Sequence, residues 1–391
     1  MKSYCKGLTI DRDLVRSAYD AWLTKPSGRK NGWRVADEYG SADGLIDEIV
    51  WEITMRTLEF RPIHRYLRRE PTNGKERVIG VESVKQQVCD YVAIVAMEPL
   101  LKAKEGFYQT ASSKGKGQRL CRGALRRWSK ESRYHVKADV RQCYNTISCD
   151  VVMGVLRRYV RSSDVLYLCE TLMATYDGGH LEIGSYFSMR MAALVLSFAY
   201  HHVEGLGKVR RGRWVSLVRH QIWHMDDFVL MGTSKRDLRV AMRSLVAFLR
   251  DGFGLELKGW KVARTSRVEP LDLGGWVVCE MGGARKAGSA ATHTRVRLRA
   301  GIFLRGTRSF ARFGKRPSIA LARRCASYWG WFKHGDCEGV RRERGIDRRM
   351  AHARSVVSHA ERRVAIATYR QDEGRPYGTH TVCHAAAGGA G

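Results

Sequence analysis

Acidic residues are scarce in this chain: 39 Asp and Glu stand against 69 Lys and Arg over 391 residues, a net charge of +30. So basic a surface gathers polyanions and neutralises backbone phosphates with release of their counterions, which makes nucleic acid the expected partner. Long apolar runs are also missing. No stretch approaches the roughly 20 residues of a membrane-spanning helix, and the start, MKSYCKGLTIDRD, has no apolar signal-peptide core; together these predict a cytoplasmic protein without a membrane partner. The ten cysteines form no CxxC pair, which argues against zinc knuckles and for reduced, buried thiols. Internal repeats are absent too. What is plentiful, 44% hydrophobic residues and ten Trp, can fill a large core, so the charge lies over a folded body of two or three subdomains.

Periodicity gives mixed α and β elements. Residues 82–101 carry Val84, Val88, Tyr91, Val92 and Val95 at helical spacing, with Pro99 marking the end. Residues 134–140, YHVKADV, alternate as a strand with His135, Lys137 and Asp139 on the polar face. A buried helix is predicted over 191–204, followed by the basic stretch GLGKVRRGRW. Ser234 can cap a helix striped by Leu238, Met242, Leu245 and Leu249 and closed by Gly252 and Gly254.

Between these lies QIWHMDDFVLMG, residues 221–232, with Asp226 and Asp227 side by side. Asp pairs are common in turns, where they bond nearby backbone. Here the flanking runs predict a hairpin with arms 222–225 and 228–231, the carboxylates projecting together from one edge. The order from Asp139's strand to a strand near LDLGGWVV is β-α-β-β-α-β, which would bring Asp139 beside the pair. Three converging carboxylates repel one another unless cations hold them, and two Mg²⁺ roughly 3.5 to 4 Å apart suit in-line phosphoryl displacement.

HMDDFVLMG resembles the YxDD signature of reverse transcriptases. VKADVRQCYNTIS is similar to their first catalytic strand, EIGSYFSMRMAALVLS to their template-grip segment, and LELKGWK and LDLGGWVV to the two following segments, the second being the primer grip. GKERVIGVESVKQQVCDYVAIVAMEPLL and YQTASSKGKGQ resemble the fingers of bacterial members, so the resemblance runs over roughly residues 60 to 280. It implies an α+β right-hand polymerase with a ferredoxin-like palm, α-rich fingers and a helical thumb. The expected divisions are an N-terminal extension and fingers over 1–132, palm over 133–285, thumb over 286–360 and a flexible tail over 361–391. It further implies two Mg²⁺, replaceable by Mn²⁺, on Asp139, Asp226, Asp227 and the Val140 carbonyl. Lys75, Arg77, Tyr144, Gly184 and Ser188 would serve the incoming nucleotide, Tyr144 as the aromatic that excludes a 2′-hydroxyl. Lys261 would protonate pyrophosphate, with Lys258 a rival. His224, Gly274, Gly275, Trp276, Lys114, Lys116, Arg295 and Arg297 would meet primer and template.

The chain departs from the pattern in two places: His224 replaces the signature Tyr, and Ile183 precedes Gly184 where many members carry Gln. Ile there is similar to diversity-generating retroelement polymerases, yet Met189 follows Ser188 where those often have Gln. No His and Cys endonuclease segment or RNase H carboxylate set follows residue 280. The expected activity is RNA-directed DNA synthesis on a structured RNA, with DNA primer or product and dNTPs as partners, in a prokaryotic antiviral defence system or retroelement. A protein partner or homo-oligomer is left open. The alternatives are a diversity-generating retroelement enzyme and a non-catalytic nucleic-acid scaffold, the intact carboxylates arguing against the latter; a viral RNA replicase is a third, weaker option. Residues 295–350, Arg-rich with interleaved Phe and Trp, suit a thumb on a duplex.

Overall fold

The computed structural model describes residues 2–69, 76–111, 115–265, 269–281 and 293–373. The chain forms two compact units, Met1–Ala300 with His334–Asp336, and Gly301–Lys333 with Cys337–Gly391. Both helix and sheet are present, as an α+β protein requires. Among the described residues no helix is long and apolar enough to cross a membrane.

The first unit opens with helices at Arg12–Leu23, Pro26–Asn31, Trp33–Tyr39 and Ala42–Met55, then an antiparallel pair, β1 (His64–Arg69) and β2 (Glu76–Val81). The expected apolar stripe falls on the Val84–Ala96 helix, buried on almost every side. Pro99 does not end this element: it sits in the first turn of a second helix, Glu98–Lys104, where its missing N–H and fixed φ are tolerated.

A four-stranded sheet follows. β3 (Tyr134–Asp139) is separated from an exposed hairpin, β4 (Gly207–Arg210) and β5 (Arg213–Ser216), by several helices including Tyr186–Glu204. β6 (His220–His224) and β7 (Asp227–Gly232) then lead through the Lys235–Phe253 helix to β8 (Lys261–Arg264). The sheet order is β6-β7-β3-β8 with every neighbour antiparallel, the order of a split β-α-β-β-α-β unit. Its return strand is β8, not LDLGGWVV as the sequence suggested. LDL and WVV lie instead in β9 (Leu271–Leu273) and β10 (Trp276–Met281), which with β11 (His293–Leu298) make a separate antiparallel sheet.

Alternation decides which face is buried. Val136 and Ala138 stand opposite Leu230 and Phe228, all at most 4% exposed, while the next residue along, Asp139, ends the strand on the other face. The Lys235–Phe253 helix covers the sheet through Leu238, Met242, Leu245 and Leu249, each wholly buried and stabilising by about 2 kcal/mol. Ser234 caps it by accepting from the Asp237 N–H, and Gly254, at φ +65°, closes it; Gly252 stays inside the helix. The second unit, by itself, is helical, with Phe303 and Phe310 packed on the buried Phe332. Its last helix, Ile346–Glu373, runs through the first part of the segment expected to be a flexible tail.

One contact ties the strand pair β1–β2 to the start of the Tyr186–Glu204 helix. The Gly80 N–H donates to the Ile183 carbonyl at 2.8 Å, and Gly184 takes φ +122° so close to Gly80 that a Cβ would meet the Gly80 carbonyl oxygen at 2.3 Å. Gly184→Ala adds both a forbidden dihedral and a backbone clash, so a loss of about 2–4 kcal/mol is expected in denaturant unfolding. A loss below about 0.5 kcal/mol, the ordinary surface-mutation range, would show that the two backbones do not meet.

Candidate active site

Asp139 is the last residue of β3, and the antiparallel register sets it directly opposite Asp227, the first residue of β7. Opposed residues of such a pair hold their Cβ atoms about 4.5–5.5 Å apart, where like charges destabilise. The third carboxylate arrives through a turn: β6 and β7 are joined by Met225 and Asp226 alone, and Met225 takes φ +58°. Positive φ at only the first loop position is the II′ pattern, normally a glycine's place, and costs a larger residue roughly 1–2 kcal/mol. The Val140 N–H donates to the Asp226 carbonyl at 3.1 Å and pins the turn to the end of β3. Asp226 therefore stands in the turn and Asp227 in the strand, rather than both at a loop tip, and Asp227 still feels the charges of Asp226 and Asp139. Asp227 lies in the strand, with Lys137 Nζ 3.8 Å from its Oδ1, and Asp226 in the turn lines a neighbouring cleft.

That cleft, about 740 Å³, is bounded by Arg65, Arg77, Tyr144, Ile183, Asp226 and Lys258 among others. Arg77 comes from β2 and Tyr144 from the short Cys143–Thr146 helix. Burial raises the Tyr144 phenol, keeping it neutral. Burial, then Asp139, raises Asp226 against the opposing pull of Lys258 and Arg77. Asp227 is pushed up to about 6, by burial first, with Asp139 and Asp226 adding and Lys137 opposing. The Lys258 ammonium pairs with the Asp139 carboxylate.

These groups fit a divalent cation in their chemistry: hard oxygen donors, partly withdrawn from water, with burial and the neighbouring carboxylates raising the proton affinity of Asp226 and Asp227. Among the described residues no three His, Cys, Asp or Glu side chains already form a closed set of ligands, and Lys258 supplies the positive charge at Asp139.

The remaining expected residues divide. Gly184 shapes the turn at the cleft's edge beside Ile183. Ser188, expected at the nucleotide, is wholly buried, and its Oγ accepts from the Glu182 N–H at 3.0 Å, so it braces that turn from behind. His224 is partly buried, which lowers its pKa, and its Nδ1 lies 3.0 Å from Thr110 Oγ1. Lys261 points away from the cleft, with Nζ 2.6 Å from Glu269 Oε1; the cleft lysine is Lys258. Gly274 and Gly275, both at positive φ, form the I′ turn joining β9 to β10. Trp276, expected against the primer, is a core residue: it is 0% exposed and donates from Nε1 to Gln118 Oε1 at 2.7 Å. Lys116 donates to the Gly106 carbonyl at 3.0 Å. Arg295 and Arg297 lie exposed on β11, the edge of the second sheet. Lys75 and Lys114 lie outside the described residues.

The sequence reading missed a buried carboxyl pair beneath the cleft. Asp90 Oδ2 accepts from Ser185 Oγ and the Phe187 N–H, both at 2.9 Å, and Tyr176 OH lies 2.9 Å from Ser185 Oγ. Burial raises both Asp90 and its neighbour Glu82. A lone carboxylate inside the apolar run QQVCDYVAIVAM was the available signal. Glu182 was missed too; its Oε2 receives Arg65 Nη2 at 2.7 Å.

A carboxyl whose folded pKa of about 6 lies above its ordinary 3.8 holds its proton more tightly in the folded chain. Without divalent cations, Asp227 therefore costs stability as pH rises through 6 and ceases to cost it as pH falls toward 4. Asp227→Asn should raise the melting temperature of the cation-free protein at pH 7.5, by an amount equivalent to about 1 kcal/mol after allowing for the side chain's partial exposure, and should raise it little at pH 4. A lower melting temperature at pH 7.5 would mean that the Lys137 contact outweighs the repulsion. Compared with protein-family models and with curated protein sequences, the chain matches none.

Proposed function

We propose that the chain is an RNA-directed DNA polymerase, a reverse transcriptase with a ferredoxin-like palm, fingers ahead of it and a helical thumb after it. The observation that carries the reading is the β3–β7 register, with Asp139 opposite Asp227 and Asp226 one turn residue away, at a cleft that also holds an arginine and a neutral tyrosine. The sequence motifs fall on these same positions, and the basic surface suits an RNA template and a DNA primer or product.

Asp139 and Asp226, supported by Asp227 and the Val140 carbonyl, would hold two Mg²⁺, which when bound activate the attacking primer hydroxyl and stabilise the leaving pyrophosphate. The protein's own contribution is placement and charge. Arg77 reaches the cleft from β2 and would pair with the triphosphate of an incoming dNTP. The Tyr144 ring, kept uncharged by burial, would occupy the space that a ribose 2′-hydroxyl needs. Lys258, rather than Lys261, would move off Asp139 and supply the proton to pyrophosphate. The Ile183–Gly184 turn, braced by Ser188 and the Asp90 pair, would form the floor under the template base. The resemblance to prokaryotic enzymes is the basis for expecting a cognate structured RNA, in antiviral defence or a retroelement.

Four substitutions test this. Asp226→Asn should not lower the melting temperature and should remove Mg²⁺-dependent dNTP incorporation; retention within about tenfold of wild type would sink the metal assignment. Lys258→Ala should slow incorporation roughly 100-fold while Lys261→Ala changes it less than about threefold, and the opposite order would restore Lys261. For Tyr144→Ala, the ratio of deoxy to ribo incorporation on one primed RNA should fall at least about tenfold, whereas an unchanged ratio would make Tyr144 a packing residue only.

A further inference from the structure

The β4–β5 hairpin stands out from the first unit with almost nothing covering it. Arg211 and Gly212, at φ +53° and +74°, form its I′ turn. One face pairs Val209, 70% exposed, with Trp214, 65% exposed, and the Trp214 ring lies over Gly207, where a Cβ would meet it at 2.2 Å. The other face sets Arg210 directly opposite Arg213. Like charges across a strand pair destabilise a hairpin, and none of Arg210, Arg211 and Arg213 has an acidic partner among the described residues. An exposed stacking surface on one side and three uncompensated guanidiniums at the other side and tip are the two parts of a single-strand nucleic-acid platform.

A second feature adjoins it. At the hairpin's base Val215 lines a pocket of about 750 Å³ with Phe107, Tyr108, Trp128 and His220. Trp128 and His220 stack at 4.7 Å with planes 3° apart, and Phe107 is 63% exposed at the rim. The volume exceeds that of a single nucleobase and leaves room for a nucleotide; the exposed Phe107 ring is the surface on which a base could stack, since Trp128, 3% exposed, is covered by His220 and Tyr108. This pocket shares no lining residue with the carboxylate cleft. The two flank opposite ends of β6, His220 at one and the Met225–Asp226 turn at the other, a run of roughly 13–17 Å at about 3.3 Å per residue.

We propose that the β4–β5 hairpin and the adjoining aromatic pocket form a second RNA site, which takes a single-stranded segment outside the template–primer cleft: phosphates on Arg210, Arg211 and Arg213, a base on Trp214, and, on the arginine face where Val215 lies, another nucleotide of the segment in the pocket. A protein partner is disfavoured by the charge, since the apolar exposure is limited to a few side chains and the guanidiniums require an anion. The proposal extends the polymerase reading by giving the RNA an anchor apart from the point of copying, but RNA binding here needs no catalysis.

The test uses the full chain and a fluorescein-labelled oligouridylate of about 20 nucleotides, followed by anisotropy across a salt series. The triple variant Arg210→Gln, Arg211→Gln, Arg213→Gln should weaken binding at least about tenfold and flatten the slope of log Kd against log salt by about 2, at about 0.7 per phosphate contact on a single strand. Trp214→Ala should weaken binding about fivefold or more with the slope unchanged, because stacking carries no counterion release. Melting curves matching wild type exclude misfolding, and since none of the four side chains is buried both variants should pass. Affinity within twofold of wild type and an unaltered slope would overturn the proposal. So would a change in oligomeric mass by light scattering without a change in RNA affinity, which would assign the hairpin to a protein contact. Because the readout is binding alone, a failure of nucleotide incorporation would count against the polymerase reading and not against this site.

Discussion

The register between β3 and β7 is the constraint on which the site depends. It sets two aspartates opposite each other at the end of a sheet, an arrangement that opposes folding electrostatically. The sheet tolerates it because a slip of β3 by one residue would turn Val136 and Ala138 away from Leu230 and Phe228 and onto the other face. Burial of those side chains is worth several kcal/mol, more than the repulsion costs. The apolar alternation of the strands thereby fixes the spacing of the charged groups at their ends.

Strain and charge gather at the same place. Met225 holds a left-handed dihedral so that Asp226 can leave the line of the strand, and Val140 secures the turn from β3. Asp226 and Asp227 both have raised proton affinity, while Lys137, Lys258 and Arg77 supply opposing charge. A chain poor in acid thus concentrates three carboxylates at one sheet end and meets them with cationic side chains, a balance that a bound cation or the phosphates of a substrate would shift. The Asp90–Glu82 pair below is a different case: it is deeply buried, with Asp90 held by Ser185 and the Phe187 amide, and it stiffens the Glu182–Ser188 turn.

Local pattern made much of this legible. The strict alternation of YHVKADV placed Asp139 on the polar face at a strand's end, and Ser234 with Gly254 bounded the covering helix. What escaped was set by longer-range geometry. The turn type, which puts Asp226 in the turn and Asp227 in the strand, depends on a positive φ that Met does not advertise. The return strand was misplaced because Lys261–Arg264 is only four residues long, while LDLGGWVV carries the stronger apolar signal for a strand pair of its own. Trp276 and Ser188 sit in motifs that suggest ligand contact, yet Gln118 and the Glu182 amide satisfy their polar atoms inside the protein. Lys258 and Lys261 differ by three positions, and only the tertiary structure shows which of them meets Asp139.

The most direct measurement is primer extension by the purified wild-type chain on an RNA template of defined sequence, with Mg²⁺ and dNTPs, followed by sequencing of the product. The expected result is DNA complementary to the RNA, its synthesis abolished by chelation of the metal. Absence of extension, or products that ignore the template or form only from ribonucleotides, would contradict the proposal that this carboxylate cleft copies RNA into DNA.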